Sequence, residues 1–439
     1  MLFCCSKHIE VNVNDLPVTI ERKDHILSRS NISKNALSVL YRLKDAGYEA
    51  YLVGGGVRDS LLALRPKDFD IATNATPEQI QSVFRNCRLI GRRFRLAHVY
   101  FGRELIEVAT FRAQQNPQAD DTVTNADGML LRDNTYGSLE EDALRRDFTI
   151  NALYYDIRNF SIIDYADGWT DINSKSVRLI GEPEVRYRED PVRMLRAIRF
   201  ATKLDFSIEK KTAEPISSLS HLLGAIPSAR LFDEYIKLFM SGRAEQNFNL
   251  LRQYGLFKYL FPEADRCLDE GQRSFVELVR SALKNTDARV SEGKPVTPGF
   301  LVSVFLWGAV VRLTEKKQAK GEHFHPALQK AGQEVLASQR PHVEINRRSA
   351  TMIREIWSLQ PRLEKQANKK TMRLVGHNRF RAAYDFLLLR AEAGDADPET
   401  AQWWTEFQAL QPVDEQASTS KGGRRHPSKQ RPHSQKWHP

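Results

Sequence analysis

Asp68 and Asp70 stand one residue apart in "KDFD", and the chemistry open to such a pair is metal binding. At positions i and i+2 of a strand both side chains point to one face. Two carboxylates so close repel each other unless cations lie between them. Hard oxygen ligands suit Mg²⁺, and a two-ion site holds its ions about 3.5–4 Å apart. A third carboxylate is expected from a neighbouring strand. Glu107 in "LIEVATFR" is the candidate, with Ile106 and Val108 turned to the core and Glu107 and Ala109 to the opposite face. Just upstream, "YLVGGGVRDS" supplies Gly54, Gly55 and Gly56. A glycine turn lets backbone N–H groups approach phosphate oxygens, and the helix that follows adds a favourable dipole. Arg58, about one helical turn on, is a bidentate donor for a triphosphate. Each feature alone is common in ordinary turns. Their order within so short a span points to a nucleoside triphosphate held with two metal ions.

Two further clusters belong to the same chemistry. In "EEDALRRDFTINALYYD", Asp147 could bond a ribose hydroxyl or support the metal site, and Arg146 could hold phosphate. The plain alternative is a helix-capping Asp with surface arginines beside it. In "REDPVRMLRAIRFATKL", Asp190 caps a helix and Pro191 takes its first position. Val192, Leu195 and Ile198 form an apolar stripe, and Arg193, Arg196 and Arg199 a basic one beside it. Such a helix is amphipathic, and its Arg and Asp side chains can also bond the edge of a base. A carboxylate committed to capping, however, has fewer acceptor sites left.

These residues need a scaffold that alternates helix and strand. "SKNALSVLYRLKDAGYEA" has helical spacing at Ala36, Leu37, Val39, Leu40 and Leu43, a cap at Ser33 and a stop at Gly47. "EAYLVGG" reads as a strand ending in glycines, "VRDSLLAL" as a helix, "KDFDIAT" as a strand. "TPEQIQSVF" is a helix capped by Thr76, and "LAHVYFGRELIEVATFR" is two strands turning near Gly102. After about residue 185 strand signals nearly vanish and helical periodicity with Pro and Gly breaks takes over. The expected division is an arm over 1–30, an α/β head over 31–155, a neck over 156–215, a helical body over 216–412 and a tail over 413–439.

Composition narrows the partners. The chain of 439 residues carries a net charge of +10, and its pI near 9.3 favours a polyanionic partner, nucleic acid first. Cys4, Cys5, Cys87 and Cys267 form no CxxC pair, which suits a reduced, cytoplasmic setting. The longest apolar run, Phe300 to Val311, is shorter than the roughly 18–20 residues of a membrane span and reads as a core helix. The tail is too poor in apolar residues to bury a core. Its Lys421, Arg424, Arg425, Lys429, Arg431 and Lys436, against Asp414 and Glu415, leave it at +4.

The three clusters "LVGGGVRDSLL" with "KDFD", "RRDFTINAL" and "REDPVRMLRAIRF" together resemble the class II nucleotidyltransferases, the bacterial poly(A) polymerases and tRNA CCA-adding enzymes. The resemblance covers about residues 50–206 closely and the helical body more loosely. It implies an α+β, polymerase-beta-like head with a five-stranded sheet, followed by all-α neck and body domains. It implies that Asp68 and Asp70 are metal-binding catalytic carboxylates. Glu107 matches the third ligand, and Asp147 also occupies a catalytic position. It further implies that Gly55, Arg58, Arg146, Asp190, Arg193, Arg196 and Arg199 contact the nucleotide. "LIGRRFRLAHVYF" looks like the poly(A) polymerase branch. The tail resembles that branch too, though it is less densely basic.

The function so implied is untemplated addition of AMP from ATP to RNA 3′ ends, in mRNA processing and turnover. Mg²⁺ is the expected ion, with Mn²⁺ as the substitute, and the six tail cations are expected to meet RNA phosphates. The alternatives are a CCA-adding enzyme that uses CTP and ATP on tRNA, and a non-catalytic RNA-binding protein. A metal-dependent phosphohydrolase is weaker, because "HFHP" at 323–326 lacks an accompanying His-Asp ligand set.

Overall fold

A computed structural model describes residues 17–91, 95–113, 123–124, 130–132, 135–365 and 373–409. The tail cations, Cys4, Cys5 and part of the Leu89–Phe101 stretch lie outside the described residues. In chain order the strands are β1 (Val18–Ile20), β2 (Ala50–Val53), β3 (Asp70–Thr73), β4 (Cys87–Ile90), β5 (Leu96–Phe101), β6 (Glu104–Thr110), β7 (Val123–Thr124), β8 (Leu130–Arg132), β9 (Leu153–Asp156) and β10 (Ile162–Asp164). The first helices are α1 (Lys34–Asp45), α2 (Gly55–Leu61), α3 (Pro77–Val83), α4 (Leu139–Leu144), α5 (Gly168–Asn173), α6 (Pro183–Glu189) and α7 (Val192–Leu204).

Local signals explain most of these elements. Ser33 caps α1 by accepting from the Ala36 N–H, and Gly47 follows the helix at φ +88°. Thr76 and Gln79 close a capping box at the start of α3. Of the five residues at helical spacing, Ala36, Val39, Leu40 and Leu43 are buried and Leu37 is half-buried at the edge of the core.

The head is built on one sheet with strand order β1-β10-β9-β2-β3-β6-β5-β4. It has eight strands where five were expected. The extra width comes from β1, β4 and β10, only three or four residues each. Three-residue runs such as β1 and β10 are too brief for a period-two pattern to declare itself. β1 and β10 also fall in the segments read as arm and neck. One face of the sheet packs Ile71, Val99, Ile106 and Val108 into the main core, where α1 and α3 lie against the strands. The opposite face buries a smaller group, Tyr51, Val53, Ala72, Phe111, Ala143 and Tyr154. This second face carries the carboxylates.

Beyond α5 the described chain is helical, except for a short parallel pair, Ser176–Val177 with Ser207–Ile208. The apolar run near 300–311 forms two helices, Pro298–Phe305 and Trp307–Gln318, bent by 47°. Leu301, Val304, Phe305, Trp307 and Val310 are buried in the body. Among the described residues no single helix is long and apolar enough to cross a membrane.

Candidate active site

Strand register assembles the first cluster. Asp70 opens β3 and sits opposite Glu107 of the parallel neighbour β6. Paired positions share a face, so the two carboxylates stand side by side on the second face of the sheet. Asp68 precedes the strand and is exposed. Phe69 between them turns into the core. Burial, then the Glu107 charge, outweighs the pull of Arg146 and raises the Asp70 carboxyl to about 6, with Asp68 adding to the rise. The Asp70 carboxylate is therefore a buried charge with like charges beside it, an electrostatic strain on that group.

That strain is what a cation would relieve, and the donors are all hard oxygens. Among the described residues no three metal-ligating side chains already close on a single point. An open set still fits Mg²⁺, which usually keeps waters and takes one or two carboxylates together with substrate phosphates.

The glycine turn lies against this cluster. Gly54 links β2 to α2 at φ +73°, where a side chain is strained. A Cβ there would stand 3.6 Å from both Asp70 Oδ2 and Arg146 Nη1. The conformational demand thus falls on Gly54, one residue before the expected Gly55. Gly55 begins α2, and a Cβ on it would meet only the tip of Arg58 at 3.5 Å.

Arg58 departs from its expected place. It is 2% exposed. Its guanidinium donates to Asp59 Oδ1 at 2.6 and 2.8 Å and to Asn151 Oδ1, and it lies over the Phe200 ring. Phosphate contact from this position would break buried hydrogen bonds, so the arginine acts as a strut under the turn. A surface helix would have let it reach outward, but Val57, Arg58, Asp59 and Ser60 are all buried.

Arg146 is held beside Asp70 by a separate knot. Its Nη2 donates to Asp142 Oδ2 at 3.0 Å and its Nε to the Tyr154 hydroxyl at 2.8 Å. Tyr154 in turn donates to Asp142 at 2.7 Å. Nη1 points toward the Gly54 turn.

Asp147 is saturated. Oδ1 accepts from the Phe148 N–H at 2.9 Å and Asn151 Nδ2 at 3.0 Å. Oδ2 accepts from Arg196 Nε at 2.6 Å and lies 2.5 Å from Nη2 of the same guanidinium in an ion pair. Burial pushes its carboxyl up, but Arg196 and these hydrogen bonds overcome that and hold it at about 2. Asp147 is not a helix cap: the single turn Thr149–Asn151 that follows it has Phe148 at its cap.

The neck arginines are likewise paired. Arg193 Nη1 donates to Glu189 Oε2 at 2.8 Å and to the Arg186 carbonyl at 2.6 Å. Arg199 faces Glu234 at 3.6 Å and lies over Phe200. Asp190 is not the α7 cap that the sequence suggests; it closes α6, one residue before that cap, and its carboxylate pairs. Its Oδ1 accepts from the Val192 N–H at 3.3 Å, and its Oδ2 from Arg230 at 2.6 Å. α7 begins at Val192, with Pro191 at the cap. Between α4, α6, α7 and the helix Ser228–Phe239 lies a cleft of about 520 Å³, lined by Arg146, Asp147, Glu189, Asp190, Arg193 and Arg230 among others.

Several organising residues escaped the motif reading. Arg186 donates to the carbonyls of both Arg145 and Arg146 at 2.7 Å, tying α6 to the Asp147 turn. Asn151 bridges Arg58 to Asp147. Glu189 gathers Arg186 and Arg193. Asn151 and Glu189 lay inside the quoted clusters, but only contacts across about 90 residues give Asn151 its role.

Three family models match: the poly A polymerase head domain over residues 50–178, the probable RNA and SrmB-binding site of polymerase A over 205–268, and the polymerase A arginine-rich C-terminus over 320–437. Poly(A) polymerase I of Salmonella typhimurium is 49% identical over 403 residues, 90% of this chain and 87% of that protein. A CCA-adding enzyme of Lactobacillus helveticus is 38% identical over 218 residues, 49% of this chain and 52% of that one. A solved tRNA-processing enzyme superposes with TM-score 0.59 at 22% identity, covering 88% of this chain and 94% of its own. At that identity the likeness speaks for the fold.

Proposed function

The chain belongs to the bacterial poly(A) polymerases of the tRNA nucleotidyltransferase family and adds adenylate to RNA 3′ ends without a template, and on that premise we propose which residues do the work. ATP, the donor of adenylate, is the substrate, and we assign a metal requirement to the carboxylate cluster. The observation that carries our reading is the pairing of Asp70 with Glu107 in register, beside Arg146 and the Gly54 turn.

Asp68, Asp70 and Glu107 would hold the metal. We assign it as two Mg²⁺ ions, for which Mn²⁺ can substitute, whose chemistry when bound is to acidify the RNA 3′-hydroxyl and stabilise the departing pyrophosphate. The Gly54–Gly55 backbone and Arg146 receive the triphosphate. Arg146 is suited to this because Asp142 and Tyr154 fix its Nε and Nη2, while Nη1, held only by a long 3.4 Å bond to the Asn151 carbonyl, faces the turn. Asp190 and Arg193, in the cleft wall, meet the base. With no template present, base choice falls to such fixed donors and acceptors. Asp147, Arg196 and Arg58 position the others. Asp147 serves catalysis by clamping α7 to the head through Arg196, and Arg199 braces the same helix against Glu234.

We assign β1 and β10 to the head, the following helices to neck and body, and residues 413–439 to an RNA-contacting tail. The buried free thiols of Cys87 and Cys267 support a reduced, cytoplasmic setting. The test is primer extension: purified protein, an oligoadenylate primer, Mg²⁺ and each nucleotide in turn. Long heterogeneous products with ATP alone are expected. Termination after three residues on tRNA, with a need for CTP, would assign the CCA-adding activity instead.

A further inference from the structure

One row of paired residues crosses the second face of the sheet at a single level. Val53 pairs with Asp70, Asp70 with Glu107, Glu107 with His98 and His98 with Arg88. His98 is 9% exposed. Its Nε2 is buried and, among the described residues, makes no hydrogen bond. The acceptor that faces it is Glu107 Oε1, 3.4 Å away. The ring is kept in place edge-on to Tyr100, with centroids 6.2 Å apart at 67°.

A buried ring nitrogen without a partner costs more than the hydrogen bond it replaces. The separation here is a few tenths of an ångström beyond a good N–H···O bond. A small turn of the Glu107 carboxylate, which is half-exposed, would close it. Glu107 has two oxygens. One spent on His98 leaves the other for a cation shared with Asp70, its partner in register.

We infer that His98 is the positioning residue of Glu107, fixing through an Nε2–H bond to Oε1 which way that carboxylate is presented to the cation. This rests on the reading of Glu107 as a metal-binding group. It goes beyond that reading by giving a role to a side chain that touches neither nucleotide nor ion. Carboxylates that ligate metals are held by outer hydrogen bonds of this kind, and losing one typically lowers metal affinity by about 10–100-fold.

The experiment is a Mn²⁺ titration of the full chain, followed by the electron paramagnetic resonance of free Mn²⁺, with a non-hydrolysable ATP analogue present throughout. His98→Phe keeps the ring volume and removes the donor; it is expected to weaken Mn²⁺ binding by about tenfold or more. His98→Gln restores an N–H near the same point and is expected to stay within about threefold of the parent, since a donor of similar reach remains. In a Glu107→Gln background, His98→Phe is expected to add nothing. If Glu107→Gln itself leaves Mn²⁺ binding unchanged, the metal reading of Glu107 falls. If Glu107→Gln weakens binding while His98→Phe does not, or if the two effects simply add, the positioning role of His98 falls by itself. Should His98→Phe melt below the assay temperature, His98→Asn, whose amide is too short to reach Glu107, takes its place with the same expected loss.

Discussion

Asp70 and Asp147 are the same residue type in one head domain, and their surroundings drive them in opposite directions. Asp70 is buried and faces two other carboxylates, and burial first, then the Glu107 charge, raises its carboxyl to about 6. Asp147 has each oxygen filled, by Arg196, Asn151 and a backbone N–H, and is held at about 2. The first is a charge with an unmet need, which is how a site for a cation and a triphosphate is built. The second has its needs met internally and works as a brace between head and neck. A perturbed carboxylate marks function only when the direction of the shift is read together with who satisfies it.

The sharpest way to break this contrast is to remove each carboxylate and compare activity. Asp68→Ala and Asp70→Ala are expected to cut AMP addition by at least about a thousandfold, some 4 kcal/mol of barrier, with folding and RNA binding retained. Near-normal extension by either variant would sink the metal assignment. Asp147→Ala should fail in another way. It leaves Arg196 without its partner and is expected to cost about 3 kcal/mol of stability, the low end for breaking a buried pair because Arg196 is partly exposed. Denaturant melts at pH 7 would test this, and an unchanged midpoint would remove the brace.

pH gives the next largest separation. The folded state holds the Asp70 proton more tightly than the unfolded chain does, so this group's contribution to stability falls as pH rises from about 4 to about 6. In metal-free buffer at pH 8, inactive Asp70→Asn is therefore expected to be more stable than the parent by about 1–2 kcal/mol, with the gap closing below about pH 4. Asp147 has the reverse sign. Its stabilisation is present above about pH 4 and is lost as pH falls toward 2. Thermal melts of both variants across pH 3–8 would check the two signs together.

Smaller effects are expected away from the carboxylates. Arg193→Ala should relax ATP-over-CTP selection by about 1–3 kcal/mol, with RNA affinity little changed. If stability falls while selection holds, Arg193 is a brace like Arg196. Deleting 413–439 should raise the KM for RNA and leave turnover at saturating RNA nearly intact. If all six cations engaged a single strand, the log–log salt slope of RNA affinity would flatten by about four units. A tail engages only part of its charge at once, so about two units are expected. Parallel slopes for full and truncated chains would show that the tail does not touch RNA.

What the sequence by itself determined is local. Thr76 and Ser33 announce their helices because capping is a short-range bond between a side chain and a backbone N–H three residues on. Alternation alone puts Glu107 on the face opposite Ile106 and Val108. Metal chemistry was legible because two carboxylates at i and i+2 need no distant partner to be conspicuous. The tertiary structure decided everything that depends on distant partners. It set Glu107 beside Asp70 by strand register, and it widened the sheet with strands too short to have a period. It turned Arg58 inward onto Asn151, a contact 93 residues away, and filled both oxygens of Asp147 with groups that include one 49 residues away. An arginine or aspartate in a sequence is a donor or acceptor with capacity to spend. Whether that capacity is left for a ligand depends on the neighbours that folding brings to it.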